Sequence, residues 1–579
     1  MTKEELLKKQ TFIDLFSIPS EIERVEKEIE LSEIAKSLQC QKEFKELLKA
    51  WKKDFSNNML FDNEIILKDI PLKGLTCDTF ICNKKGIFKK GEVICYHPLI
   101  PIEIYTNKKT GNEKVKLAFY KRRKWNDCIV DKDVISSATR IVKLSKKGIE
   151  ITSENARGII NYLNEVINKN IDIIPTGESI STLGWDDIEF APYNNASILD
   201  GTDDFKQVFE SIKEKGSYEE WYKVVKELRK NNIVKIAMAT TFASPLLEKM
   251  DIMPYIVNIW SSASGTGKTV ACMVAISCWG DPSNQGLQFS SDSTTNYYIK
   301  VASFLKNITM FCDEFQKVKY SDSLDELVMI LANGREKGRL TKERETEETG
   351  YWNNNFLFTN NDKLSKENFG EQVFNRIIDI ECNEKIISNG NKIVGVIKKN
   401  YGFAGKKYIE YISKIGFKSI NERVRNYTTE ICEKYSATEK QATCIATLLV
   451  ANELSQECLF PNEDKLTIED LKDSINDREE ILTWKKAYNY IINHFVANDN
   501  KFDNSFTECW GRRTDYYYMV NKGILVRELQ KGGFEFDSIK KDWDKIEILE
   551  RNSQGRYATY TKIGNSPKAS YIKINKKEI

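Results

Sequence analysis

The residues of this chain best suited to chemistry are Ser262-Ala263-Ser264-Gly265-Thr266-Gly267-Lys268-Thr269. The glycines let backbone N–H groups curl toward an anion. The apolar run 255–260 before them reads as a strand, and the small-residue run 270–276 after them reads as a helix. A strand, a glycine-rich turn and a helix N-terminus form the setting in which a phosphate chain is cradled. Ser264, Gly265, Thr266 and Gly267 are therefore expected to wrap the phosphates of ATP. Lys268 reaches the β- and γ-phosphates, and the Thr269 hydroxyl holds Mg²⁺. The loop departs from the full pattern at its first glycine, where Ser262 stands.

Further groups follow in the order such a site needs. Ile308-Thr309-Met310-Phe311-Cys312 has the pattern of a buried strand and ends in Asp313-Glu314. A carboxylate at that strand end can support the Mg²⁺ shell, the role expected of Asp313. Glu314 is placed to polarise the attacking water, a contribution of about 10²–10⁴-fold in rate. Phe356-Leu357-Phe358 is a second strand and ends in Thr359-Asn360-Asn361. Asn360 is the preferred residue for orienting that water, with Thr359 and Asn361 as neighbouring competitors. Arg376 opens another apolar run after a helix-like stretch. In a ring of identical subunits it could reach the γ-phosphate held by its neighbour, and such a finger is worth about 10³–10⁵ in turnover. The alternative is an arginine paired structurally with Glu371 or Asp379. Between the two strands lies a charged, Gly-punctuated segment, 334–350, that could form a hairpin. If it lines a central pore, Lys337, Arg339 and Lys342 can grip DNA phosphates. Glu343, Glu345, Glu347 and Glu348 dilute the positive field, so charge alone equally fits a solvated surface hairpin.

These residues need a large scaffold, and 579 residues are enough for three or four domains. A hydrophobic share of 41% indicates folded domains rather than disorder. The net charge is only +2 although 30% of residues are charged, so any nucleic-acid contact has to come from local clusters. The thirteen cysteines are scattered and odd in number, which argues against a disulfide framework. There is no apolar signal segment at the start and no run long enough to span a bilayer, so a soluble, reducing, cytoplasmic setting is expected. The expected fold class is multidomain α/β. Its parts are an N-terminal helical segment (1–60), a β-rich N-terminal domain (61–204), a P-loop ATPase domain (205–399), a helical lid (400–478) and a winged-helix-like C-terminal domain (479–579).

Other clusters carry weaker signals. Cys77, Cys82, Cys95 and His97 have the ligand types of a zinc site, but the spacing is irregular and buried strand thiols are the competing reading. His494 lies in an apolar helical pattern and is expected to be structural. Lys121-Arg122-Arg123-Lys124-Trp125 could bind a single strand by phosphate contact and stacking, or could be a solvated basic turn. Arg512, Arg513, Arg551, Arg556 and the Lys-rich C-terminus make a second basic region.

Taken in order, these motifs resemble those of the AAA+ ATPases of phages and integrated mobile elements, long filed as a domain of unknown function. The chain looks closest to the MCM-like replicative helicases of staphylococcal cassette chromosomes and pathogenicity islands. Gly184-Trp185-Asp186 with Phe190-Ala191-Pro192 resembles that family's signature upstream of the ATPase. Ser277-Cys278-Trp279-Gly280-Asp281-Pro282 resembles its trailing Trp-Gly, and Thr438-Glu439-Lys440-Gln441 resembles the start of a lid helix. The resemblance covers roughly 75–460. It implies an AAA+ core and ATP-driven DNA unwinding by a hexameric homo-oligomer. It further implies single-stranded DNA held in the pore by the hairpin before the polar strand, and a basic nucleotide sensor in the lid helix. The nearest candidate for that sensor is Lys440. Mobile-element replication proteins are expected partners, duplex DNA a possible ligand of the C-terminal domain, and no membrane is involved. Two rivals use the same engine: an origin-binding initiator, and an ATP-dependent remodeller without processive unwinding.

Overall fold

The computed structural model describes residues 2–16, 21–58, 69–193, 197–199, 205–315, 324–336, 349–365, 371–477, 482–502, 509–563 and 567–577. The chain forms two compact units, Met1–Ser181 with Ala196–Asp200, and Thr182–Asn195 with Gly201–Ile579.

The first unit opens with four helices, Lys3–Leu6, Lys9–Phe16, Glu21–Ser37 and Gln41–Asn58. They share a small core in which Phe12 stacks on Phe44 and Trp51. Two sheets follow. One is a three-stranded antiparallel meander over 80–95, and the other has five strands. In the larger sheet, Leu99–Asn107 lies between Glu113–Lys121 and Thr176–Ile180. Helix Ala156–Lys169 buries Ile159, Tyr162, Leu163 and Val166 at helical spacing. The Tyr162 hydroxyl donates to the Leu99 carbonyl at 2.6 Å, so this helix is pinned to the sheet.

The basic cluster is the tip of a two-residue hairpin, with Arg122 and Arg123 both at positive φ, as the strand twist requires. Lys121 is a brace rather than a free cation: its Nζ donates to the Gly148 carbonyl at 3.0 Å and to Glu150. Trp125 packs on the core and meets Tyr120 edge-on, so it offers no open stacking platform.

The possible zinc quartet does not assemble. Among the described residues no group of three or more His, Cys, Asp and Glu side chains could hold a metal. His97 Nδ1 sits 3.0 Å from the Pro98 carbonyl, and its Nε2 accepts from the Glu150 amide at 2.9 Å. Both ring nitrogens are thus engaged by backbone, and the ring is the neutral Nδ1–H tautomer. Cys77 donates to Glu165 at 3.2 Å, and burial pushes the thiols of Cys77 and Cys95 up to about 11. Cys82 and Cys95 are strand residues, and with Cys77 they fill the core as small hydrophobes.

Burial also lowers the His97 pKa below its ordinary 6.5. The unfolded chain therefore takes up a proton as pH falls through about 6.5, while the folded ring takes one up only at lower pH. This domain is expected to lose stability over that interval, because the unfolded state binds more protons. The check is the exchange protection of the Glu150 amide at pH 7.5 and 5.5, corrected for intrinsic rates. It should drop in the wild type. Unchanged protection removes His97 as the cause.

The second unit is built on a five-stranded, wholly parallel sheet. Its strands are β1 (Ile256–Trp260), β2 (Gln288–Phe289), β3 (Met310–Cys312), β4 (Phe356–Asn360) and β5 (Ile377–Glu381), in the spatial order β2-β3-β4-β1-β5. β1, β3 and β4 are almost wholly buried, as expected of parallel strands covered on both faces. Helix α1 (Asn232–Lys249) is buried from 234 to 247 and packs on β1 and β4. It starts cleanly because the Asn231 side chain caps the Ile233 amide at 2.9 Å. Helix α2 (Lys268–Ile276) and helix α3 (Glu439–Leu459) both pack against α1. Helices Gly405–Ile415 and Phe417–Tyr435 complete this layer with α3.

The hairpin Gly184–Asp186 and Glu189–Ala191 was expected inside the N-terminal domain but belongs to this second unit. Trp185 Nε1 donates to the Pro245 carbonyl of α1 at 2.7 Å, and its amide donates to Asn307 at 2.8 Å. A Cβ on Gly184 would lie 2.4 Å from the Asn307 Oδ1, so glycine is required there.

The C-terminal part has three helices, Thr483–Ala497, Lys522–Lys531 and Phe536–Lys545, on a four-stranded antiparallel sheet. The sheet ends in the hairpin Ala558–Thr561 and Ala569–Asn575. His494 is structural here. It stacks between Tyr490 and Trp510 and meets the buried Glu528 carboxylate at 3.0 Å.

Candidate nucleotide site

Parallel strands present all their C-terminal ends at one edge of the sheet. At that edge emerge the glycine loop after β1, Asp313-Glu314 after β3, the end of β4 and the segment after β5. Together they enclose a cavity of about 410 Å³, lined by 264–270, Asp313, Glu314, Thr359, Asn360, Asn361, Lys385, Ile387, Ser388, Gly390 and Asn391. This falls within the roughly 300–1,000 Å³ of small-molecule pockets. Gly265 and Gly267 both take positive φ, at +75° and +106°. A Cβ at Gly267 would lie 2.8 Å from the Ile387 Cβ, so both backbone and space demand glycine. The Ile386 amide donates to the Thr266 carbonyl at 2.9 Å, which holds the segment after β5 against the loop.

Lys268 Nζ donates to the carbonyls of Ser261 at 3.1 Å and Ala263 at 3.3 Å, so its charge sits over the loop. The Thr269 hydroxyl donates to Asp313 Oδ1 at 2.9 Å, and the Thr359 hydroxyl reaches the same oxygen. The Glu314 amide donates to Thr359 Oγ1 at 3.0 Å. Thr359 thereby ties the two acidic residues to the end of β4. Glu314 has φ +53°, a left-handed conformation that costs a non-glycine residue about 1–3 kcal/mol and clusters at functional sites. Its side chain is exposed, whereas Asp313 is half-buried. A hydroxyl and a carboxylate in contact are the hard oxygen donors that Mg²⁺ takes alongside phosphate. The loop amides, the start of α2 and Lys268 supply positive potential at this edge, of the sign that suits an anion.

Asn360 lines this cavity, and its Nδ2 donates to Asn258 Oδ1 at 2.6 Å. Its neighbour Thr359, on the opposite face of β4, is the residue that touches Asp313. Arg376 lies at the other edge of the sheet. Its carbonyl accepts from the amide of Ile256, the first residue of β1, at 2.8 Å. The loop follows the last residue of β1, about 13 Å away at about 3.3 Å per residue. Neither Glu371 nor Asp379 pairs with Arg376. Its Nη1 donates instead to the Ala332 carbonyl at 2.6 Å and to Asn333 at 3.0 Å.

Lys440 is exposed at the start of α3 and lines a different cavity, with Glu371, Asn375 and Thr438. Among the described residues, the basic residue lining the cavity beside the glycine loop, apart from Lys268, is Lys385. Sequence reasoning missed Lys385, Ser388 and Asn391. The available signal was that β5 pairs in parallel with β1, so the residues after it emerge beside the loop.

Lys337, Arg339 and Lys342 lie outside the described residues. The flanks of their segment do pair: Arg335 bridges Tyr351 in antiparallel sense, and the Glu336 amide donates to the Gly350 carbonyl at 2.9 Å. The described base of the insertion is therefore that of a hairpin.

A family model described as a domain of unknown function (DUF927) matches residues 73–349. That span includes the glycine loop, Asp313 and Glu314, and stops before β4 and Arg376. No curated protein matches the chain. Among solved structures, SCCmec type IV Cch, described as an active helicase, is similar over 86% of this chain and 97% of its own, with a TM-score of 0.61 at 16% identity. The apo C-terminal region of NrS-1 covers 81% of this chain and 96% of its own at 10% identity, but its TM-score of 0.27 is too low to carry an argument. The likeness to Cch shows the fold: this is a multidomain α/β protein whose architecture is similar to that of Cch.

Proposed function

We propose that this protein is an ATP-dependent DNA helicase, a hexameric MCM-like AAA+ replicative helicase of a mobile genetic element. The observation that carries the reading is the contact set Thr269–Asp313–Thr359 beside the glycine loop, with Glu314 at the same sheet edge. The strand order β2-β3-β4-β1-β5 supports an AAA+ core at 205–399. Helices over 405–459 fit the lid of 400–478, and three helices with a terminal hairpin fit a winged-helix domain at 479–579. The fold likeness to an active helicase supports the same reading. No described helix is long and apolar enough to cross a membrane, which fits a soluble, cytoplasmic enzyme.

In this reading 264–269 hold the ATP phosphates, and Thr269 with Asp313 holds Mg²⁺. Mg²⁺ supplies charge neutralisation at the β- and γ-phosphates when bound. Glu314 polarises the attacking water, and Asn360 orients it. Arg376 serves the neighbouring subunit, since its own cavity lies across the sheet. Lys337, Arg339 and Lys342 grip the backbone of single-stranded DNA in the pore.

The test is strand displacement on 3′- and 5′-tailed forks with ATP and Mg²⁺. An initiator that melts an origin without translocating, or a protein remodeller, gives ATPase without displacement.

Arg376 has its own check. Arg376→Ala and Lys268→Ala are each expected to be inactive. Mixed rings should recover measurable ATPase, because some interfaces combine an intact loop with an intact finger. No recovery despite demonstrated co-assembly assigns Arg376 to its own subunit.

A further inference from the structure

A line of three polar side chains runs through the interior of the sheet, and two of them, Asn258 and Asp379, have no part in the chemistry proposed above. Asn258, at the centre of β1, is fully buried. Its Nδ2 donates to Asp379 Oδ1 at 2.6 Å and lies 3.4 Å from the Asp362 carbonyl. Its Oδ1 accepts from Asn360 Nδ2 at 2.6 Å. Asp379, paired beside Asn258 in β5, is an acceptor at every one of these contacts. It takes the Leu364 amide at 2.9 Å, the Ser365 amide at 3.0 Å and the Ser365 hydroxyl.

This arrangement has only one hydrogen-bond sense. A carboxylate accepts and does not donate. It can therefore face only the nitrogen end of the Asn258 amide, because a flipped amide would set oxygen against oxygen there and against the Asp362 carbonyl. The Asn258 oxygen is then fixed toward Asn360, which has to meet it with nitrogen. Asp379 thus dictates, two residues away, which end of Asn360 is held in the sheet. The amide oxygen is the end turned away from Asn258.

We propose that Asn258 and Asp379 are positioning residues that set the polarity of the Asn360 amide. Its oxygen then accepts a hydrogen from the attacking water, rather than its nitrogen donating to the γ-phosphate. The proposal rests on the reading of this cavity as an ATP-hydrolysing site.

The experiment measures kcat, KM for ATP and thermal melting on the full-length chain. Asp379→Asn keeps the shape but lets both amides flip. It is expected to lower kcat about tenfold, part of the ~10²–10⁴ range of positioned proton transfer, with KM unchanged. Asn258→Ala removes the acceptor that holds the Asn360 nitrogen and is expected to lower kcat to a similar extent, again with KM unchanged. Asp379→Asn should also be non-additive with Asn360→Ala, as groups acting in series are. A folded Asp379→Asn protein with wild-type kcat overturns the proposal, as does a folded Asn258→Ala protein with wild-type kcat. If Asp379→Asn does not fold, Asn258→Ala decides by the same readouts. Hydrolysis insensitive to Lys268→Ala would sink the site itself. Hydrolysis sensitive to Lys268→Ala but not to Asp379→Asn sinks the relay alone.

Discussion

Lys268→Ala is expected to abolish ATP turnover while leaving the protein folded. The side chain is half-buried, and its hydrogen bonds go only to two carbonyls of its own loop, those of Ser261 and Ala263. Ala263 is exposed, so water can replace the ammonium at its carbonyl, and melting should shift by no more than about 1 kcal/mol of stability. The loss to chemistry is far larger. The ammonium is the one flexible cation of the loop, and removing one preorganised charge at a developing phosphoryl transition state costs about 10²–10³-fold or more. ATP affinity should fall as well, because in the proposed role the same charge meets the β- and γ-phosphates in the ground state. Phosphate release, nucleotide affinity and a melting curve on one preparation suffice. Unchanged hydrolysis in a folded variant rules this cavity out as the engine.

What was legible in the sequence was local. The glycine loop, Asp313-Glu314 and the strands leading to them are short linear patterns whose chemistry follows from neighbouring residues. The structure brings those groups to one edge because parallel strands place their C-terminal ends together. What was not legible depends on pairing between distant segments. Thr359 and Asn360 are adjacent in sequence and point to opposite faces of β4. The register of β4 against β1 and β3 decides which of them meets Asp313. Asn258 and Asp379 look like polar interruptions in apolar strands until the register sets them side by side. Lys385 and Asn391 gain meaning only because β5 lies next to β1. The hairpin at 184–191 sits among β-strands in sequence, yet Trp185 binds α1 across some sixty residues. The cysteines before His97 show the converse error. Their residue types suited zinc, but the three thiols are buried in the core, and backbone groups already occupy both nitrogens of the histidine.

Glu314→Gln is expected to separate binding from hydrolysis. The backbone of this residue is held by its amide donating to Thr359, a contact that glutamine keeps. The left-handed φ belongs to the backbone and is equally costly for either side chain. Thr269 and Asp313 touch each other without Glu314, so the groups assigned to the phosphates and Mg²⁺ stay in place. The substitution removes the capacity of an exposed carboxylate to accept a proton from water. Loss of such a base lowers kcat by about 10²–10⁴-fold. ATP affinity should stay within a few-fold of wild type, unlike that of Lys268→Ala. On forked DNA the variant should bind in the presence of ATP and fail to displace the strand. If its ATP affinity collapses as far as that of Lys268→Ala, Glu314 is part of the binding apparatus. The water-activating base would then have to be sought elsewhere on the cavity wall.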